Sequence, residues 1–342
     1  MELERTAVGR TRPDRTGSGP LFGLDELADA GRIVSSSMLV TPQLCWPLLC
    51  AAVGAEVWVK HENHTPIGAF KVRGGLVYLD RLIHEPVPPA GVVTATRGNH
   101  GQSLAYAARA TGTRAIVVVP EGNNPEKDAA MRAFGAEVVV AGRDFDQARG
   151  HACALAQELG LRWVSPFHPD LVLGVATYAA ELLSAVTDLD TVYVPVGMGS
   201  GIAGLITVRD LLGLRTEIVG VVAEGAPAYA HSLAAGRVET TDRVTTFVDG
   251  VACREPDPDA VAIIARGAAR LLTVPDDETA AAMRLMLRAT HNLTEPAGAL
   301  GLAALMRERD LQRGRRVAVV LTGGNVDAST LAAVLAGQTP LP

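Results

Sequence analysis

The sequence predicts an α/β fold in which parallel sheet carries helices on both faces. Three observations predict it. Short apolar runs alternate along the chain with Ala- and Leu-rich stretches at helical spacing. The composition is 48 % hydrophobic with only 4 % aromatic residues, a mix that suits close-packed helices on buried strands. At 342 residues the chain is long for one core, so two domains or one large α/β unit are expected.

In chain order, Met1 to Pro20 is polar and rich in Arg, Thr, Gly and Pro, lacks the apolar centre of a signal peptide, and reads as a disordered tail. Leu24 to Gly31 reads as a helix, and Thr41-Pro42 starts a new segment. Strands are predicted at 57–59, 92–95, 115–119, 137–141, 163–165, 191–196, 217–222 and 316–321. Helices are predicted at 101–111, 127–134, 146–159, 173–185, 201–212 and 277–289. Two segments break the rhythm. Glu224 to Val248 reads as irregular, and Asp249 to Pro258 is dense in turn signals. Long irregular segments within α/β domains are often functional.

Bulk properties exclude several classes. The formal charge is −6 and no basic stripe interleaves with aromatics, which argues against nucleic-acid binding. Mean hydropathy is +0.20, but no apolar run reaches membrane-spanning length. Cys45, Cys50, Cys153 and Cys253 form neither a metal-like nor a disulfide-like framework, so buried free thiols in a reducing cytosol are expected. His61 and His64 flank a two-residue gap, but no further Cys/His cluster stands near them, and no metal is expected there.

Chemistry is suggested first by Lys71. It follows a strand and a Pro/Gly break and opens a helix, with Phe70 and Val72 beside it. Partial desolvation there would disfavour the ammonium and free the amine for Schiff-base chemistry. An exposed lysine at a helix start is the commoner arrangement, so the surrounding loops must decide. Four glycine-bearing loops fall at strand ends, where α/β sheets bind ligands. Thr96-Arg97-Gly98-Asn99-His100 offers backbone N–H groups at a helix start, suited to a carboxylate. Gly197-Met198-Gly199-Ser200-Gly201 can close around a phosphate. It contains a GxGxxG, Gly199 to Gly204, with Glu224 twenty residues on, so a dinucleotide site is an alternative. Thr322-Gly323-Gly324-Asn325 and Glu295-Pro296-Ala297-Gly298-Ala299 complete the set.

Taken together, Pro66-Ile67-Gly68-Ala69-Phe70-Lys71-Val72-Arg73-Gly74 and these four loops resemble the tryptophan-synthase-β-like superfamily of pyridoxal-phosphate enzymes, in its threonine/serine dehydratase branch. The resemblance runs from about Thr41 to about Asp327. It implies fold type II, with the cofactor in a cleft between a large domain (21–84 with 171–342) and a small one (85–170). It implies that Lys71 bonds the cofactor and acts as the Cα base. Phe70, Asn99, Gly197 to Gly201, Glu295 and Thr322 would contact the cofactor, Asn99 at its phenolic oxygen and Thr322 at its ring nitrogen. Thr96, Arg97, Gly98, Asn99 and His100 would bind the substrate. The implied reaction is loss of water from a β-hydroxy-α-amino acid, of the threonine/serine type or bulkier, such as phenylserine or hydroxyaspartate, giving a 2-oxo acid and ammonia. β-Replacement and racemisation are alternatives, and a nicotinamide-dependent oxidoreductase is a remote one. A cytoplasmic homodimer with a small amino-acid substrate is expected.

Three departures from the family pattern matter. Met198, Ser200 and Gly201 replace the commoner glycine, glycine and leucine. Arg97 stands where relatives carry a small residue. Val222 and Ala228 occupy positions that ligate a divalent cation in many relatives, so no metal site is expected.

Overall fold

The computed structural model describes residues 19–143 and 145–342, so most of the predicted tail, 1–18, lies outside the described residues. Two sheets organise the chain. The larger contains β1 (Gln43–Cys45), β2 (Glu56–His61), β7 (Thr191–Pro195), β8 (Glu217–Ala223), β9 (Arg270–Val274) and β10 (Arg316–Leu321), in the order β1-β2-β10-β7-β8-β9. Only β1 runs antiparallel, pairing Cys45 with Trp58. The smaller contains β3 (Gly91–Ala95), β4 (Arg114–Val119), β5 (Glu137–Val140) and β6 (Arg162–Trp163), all parallel, in the order β5-β4-β3-β6.

The helices are α1 (Leu24–Ser35), α2 (Pro47–Val53), α3 (Lys71–Ile83), α4 (Asn99–Thr111), α5 (Pro125–Ala133), α6 (Phe145–Leu159), α7 (Pro169–Ala185), α8 (Ser200–Leu211), α9 (Ala228–Ala235), α10 (Pro258–Gly267), α11 (Asp276–Thr290), α12 (Pro296–Arg307) and α13 (Ala328–Leu335). Each sheet is covered on two sides. Leu79, Leu104, Leu173 and Val194 belong to one continuous core that joins α3, α4, α7 and α8 to both sheets. Val57, Val319, Met286 and Leu300 form a second core on the opposite face of the larger sheet, under α11 and α12. Val93, Ile116, Ala148 and Ala152 pack α6 on the far face of the smaller sheet.

Helix starts follow local chemistry. Asn124 caps α5 by accepting from the amides of Glu126 and Lys127, with Pro125 at the first helical position. The helix therefore begins earlier than the apolar period alone indicates. Asp257, followed by Pro258, caps α10 in the same way, and Asp327 caps α13 by accepting from the Thr330 amide. The segment read as irregular contains α9, which the sequence pattern does not mark because the helix has only eight residues. β1, β9, α2, α10 and α13 are also absent from the sequence-derived elements.

α3 and α7 approach closely at two glycines. A Cβ on Gly174 would lie 2.2 Å from the Arg73 carbonyl oxygen, and one on Gly74 would lie 2.7 Å from the Leu171 carbonyl oxygen. Beside this crossing lies a buried ionic network. Arg73, fully buried, donates to Glu62 at 2.7 Å and to Glu181 at 2.7 Å, while Lys60 donates to Glu181 at 2.6 Å. Two cations face two carboxylates, so burial is matched by pairing. The network ties β2 to α3 and α7 two residues beyond Lys71.

The thiols depart from expectation. Only Cys253 is buried; Cys50 and Cys153 are half-buried, and Cys45 is exposed.

Candidate active site

A cavity of about 490 Å³ opens between the C-terminal ends of the two sheets. It gathers every site residue that the sequence singles out: Phe70, Lys71, Thr96, Arg97, Gly98, Asn99, His100, Gly197, Met198, Gly199, Ser200, Gly201, Glu295 and Thr322. Glu224, the acid of the dinucleotide alternative, is exposed and does not line it.

Lys71 is the first residue of α3. Its position is fixed by the loop before it, where the Phe70 amide donates to the Thr322 carbonyl at 2.9 Å and Ala69 bridges to Gly323. The end of β10 thus sets where the lysine begins its helix. Its Nζ stands 4.8 Å from the Phe70 ring centroid. Burial lowers its pKa to about 8, against the opposing pull of the Glu295 charge. Among the described residues Nζ has no ion pair or hydrogen bond, so the amine faces the cavity unengaged.

The second wall is the loop from β3 into α4. Thr96 is buried and its Oγ1 accepts from the Gly98 amide at 3.0 Å. A Cβ on Gly98 would sit 2.7 Å from Lys127 Cδ, so this lysine side chain packs directly on the loop. His100 is buried, bonds the Val164 carbonyl, and leaves Nε2 without a partner. Desolvation, with the Lys71 charge nearby, lowers its pKa to about 3, so the ring is neutral. Asn99 Nδ2 donates to both Glu295 oxygens, at 2.8 and 2.9 Å, and its Oδ1 accepts from Asn325 at 2.8 Å. The amide implied to meet a phenolic oxygen is therefore engaged, and would reach one by giving up a bond to Glu295. Burial raises the Glu295 pKa to about 7. Its backbone amide donates to the Gly323 carbonyl at 3.0 Å, locking it beside β10.

The third wall is the turn from β7 into α8. Gly199 adopts φ +92°, and a Cβ there would lie 2.7 Å from Ala260 Cβ. The turn delivers free amides and the positive end of α8 to the cavity. Tyr229 Oη donates to the Met198 carbonyl at 3.0 Å, and the Cys253 thiol contacts the Met198 sulfur at 3.6 Å. The Ser200 and Thr322 hydroxyls make no hydrogen bond within the described protein. Val222 and Ala228 are buried apolar side chains.

Pattern reading missed the pairings that bridge the cavity from opposite sides. Lys127 pairs with Asp249. Arg254 donates to Asp146 at 2.6 Å, and Arg149 pairs with Glu255 at 2.9 Å. Asp249, Arg254 and Glu255 come from the turn-rich segment flagged in the sequence, but charge spacing along the chain gave no sign of partners some hundred residues away. Arg97 and Arg243 also line the cavity; both are exposed, and neither has an ion pair among the described residues.

A half-buried amine, a glycine-rich turn at one helix start, two unengaged hydroxyls and a second helix start meet in one cleft, in the fold of a type II pyridoxal-phosphate enzyme. Residues 34–323 match the model of a family described as pyridoxal-phosphate dependent enzyme, and the chain belongs to that family. Within it the chain falls in the threonine dehydratase branch. It is 35 % identical over 284 residues to an L-threonine ammonia-lyase of Geobacter sulfurreducens, covering 83 % of this chain and 70 % of that one. It is 34 % identical to an L-threo-3-hydroxyaspartate ammonia-lyase of a Pseudomonas species, covering 87 % of this chain and 93 % of that one. The structure of threonine deaminase isoform 2 from Solanum lycopersicum superposes with a TM-score of 0.84 at 29 % identity, covering 93 % and 95 % of the two chains. The chain spans only 56 to 70 % of the length of the first four curated threonine relatives it matches.

Proposed function

We propose that this protein is a pyridoxal-phosphate-dependent ammonia-lyase that removes water from a β-hydroxy-α-amino acid whose β-substituent carries a carboxylate. The observation that carries the reaction is the unengaged, half-buried Lys71 amine, facing a cavity with separate places for a phosphate and a carboxylate. The residues present fit the cofactor. Lys71 is its attachment point, Gly197 to Gly201 with the Ser200 hydroxyl hold its phosphate, and Thr322 and Asn99 meet the ring's polar atoms. When bound, pyridoxal phosphate supplies an electron-accepting ring that takes up the charge left at Cα.

The chain's own residues do the rest. Lys71 Nζ would be the base that takes the Cα proton, and burial that lowers its pKa to about 8 favours that role. Thr96 and the amides at the start of α4 hold the substrate carboxylate. With the cofactor bound, a neutral Thr322 hydroxyl, unlike a carboxylate, would not hold a proton on the ring nitrogen, an arrangement suited to elimination. The buried, neutral His100 adds no charge beside that carboxylate site.

Arg97 and Arg243 support the substrate class. The other arginines of the cavity, Arg149 and Arg254, are neutralised by Glu255 and Asp146, which leaves two free guanidiniums at the mouth. A second substrate carboxylate would pair with them. The near full-length match to L-threo-3-hydroxyaspartate ammonia-lyase fits the same class. A second reading, a bulkier aromatic substituent, is favoured by Phe145 and Val244 in the lining.

The two sheets are proposed to be separate lobes, 21–84 with 171–342 and 85–170. A homodimer and a cytoplasmic location go with the metabolic class. Light scattering at micromolar concentration checks the dimer; a monomer mass refutes it.

The deciding experiment incubates the holoenzyme with L-threo-3-hydroxyaspartate, L-threonine, L-serine and L-phenylserine and measures 2-oxo acid and ammonia. The highest kcat/KM is expected on the dicarboxylate. A D-enantiomer or a substituted amino acid as main product would overturn elimination, and preference for phenylserine would select the second reading.

A further inference from the structure

Cys45 closes strand β1 and Cys50 lies in α2, with Trp46 between them as the residue preceding the helix. Their sulfurs are 3.5 Å apart. The fold imposes this separation. The Trp46 amide donates to the Val57 carbonyl at 3.2 Å, the Cys50 amide donates to the Trp46 carbonyl at 2.9 Å, and the Val57 amide donates to Cys50 Sγ at 3.2 Å. Both thiols are thereby held against β2, and neither lines the cavity. A disulfide needs the sulfurs at about 2.05 Å, a closure within reach of side-chain rotation. Cys45 is exposed and Cys50 half-buried, so one sulfur is open to a reagent and the other sits behind it.

We propose that Cys45 and Cys50 form a reversible redox site that closes to an intramolecular disulfide at the expense of an oxidised low-molecular-weight thiol. The Cys45 thiolate attacks one sulfur of the small disulfide, forming a mixed disulfide and expelling one small thiolate. The Cys50 thiolate then attacks Cys45 Sγ and expels the second. The protein pair loses two electrons, the small disulfide gains them, and the two protons given up by the cysteines leave on the two small thiols. Burial, with the neighbouring Cys50, pushes the Cys45 thiol up to about 11. The site is therefore slow at neutral pH, and its rate climbs about tenfold per pH unit while the thiolate is the minor species. Such a pair stays reduced in an ordinary reducing pool and closes when that pool becomes oxidised.

The test treats the holoenzyme with graded ratios of oxidised to reduced glutathione, quenches with acid and maps tryptic peptides by mass. No Lys or Arg lies between Ile33 and Val59, so one peptide ending at Lys60 carries both cysteines. That peptide is expected to lose about 2 Da as the ratio rises and to regain it with dithiothreitol. Cys50→Ser is expected to stop at a glutathione adduct on Cys45, and Cys153→Ser to behave as wild type. A wild-type peptide that stays reduced at every ratio, or that stops at the adduct, overturns the site. Neither outcome bears on the ammonia-lyase reading, which the substrate panel tests separately.

Discussion

Lys71 shows how one residue acquires a role from its surroundings. In the folded protein it binds its proton less tightly than in the unfolded chain, where its pKa is 10.5, against about 8 in the cleft. Its burial therefore costs stability below about pH 8, and that cost fades as pH rises toward 10.5. For the cofactor-free protein, Lys71→Met is expected to raise unfolding free energy at pH 7 by about 1–2 kcal/mol, after allowance for its partial exposure and for Glu295. The gain should shrink between pH 8 and 10.5 in urea titrations; a gain independent of pH would contradict the assigned burial. In the holoenzyme, Lys71→Ala is expected to abolish the visible absorbance of bound cofactor and to lower kcat at least a thousandfold. At the same scale, Arg97→Ala should raise KM for a dicarboxylate substrate about tenfold, roughly 1.4 kcal/mol, while leaving kcat on L-threonine within twofold. Equal losses on both substrates would sink a side-chain role for Arg97.

Elements hold these residues in place by two devices, caps and close helix contacts. α5 presents Lys127 to the cavity and starts at the Asn124 cap. Asn124→Ala is expected to cost about 1 kcal/mol and to weaken cofactor retention modestly, read by thermal melts with and without pyridoxal phosphate. α3 is fixed by its ionic network. Arg73→Ala leaves the buried Glu62 and the part-buried Glu181 facing only Lys60. The expected loss is about 3–5 kcal/mol in urea unfolding, far above that of an exposed pair such as Arg114–Glu137. A loss under 1 kcal/mol would mean that water enters the network.

At the scale of the molecule, the cleft is closed by charges that meet across it. Arg149–Glu255 and Arg254–Asp146 join α6 to the segment before α10, and Lys127–Asp249 joins α5 to the same segment. The first two are partly exposed and so open to screening by salt. Arg149→Ala is expected to raise KM two- to fivefold at low salt and to change it little at 0.5 M salt, where the wild-type pair is already weakened. A KM effect undiminished by salt would assign Arg149 to direct substrate contact instead.

Much of this was legible in the chain. The alternation of apolar strands and Ala-rich helices, with a glycine loop after each of several strands, required parallel sheet and a ligand at strand ends. Lys71, Thr96, Gly199 and Thr322 could be picked out because turns and helix starts impose local residue types. The order of residues was enough to assign the class of chemistry, since backbone geometry and nucleophile identity are local properties. Tertiary structure alone decided the pairings: Asn99 with Glu295, Arg73 with Glu62 and Glu181, Lys127 with Asp249, and Cys45 with Cys50. Three of these join side chains brought together by chain crossings. The fourth joins neighbours in sequence whose sulfurs meet because β2 holds both, and the order of residues carries no record of either kind of approach.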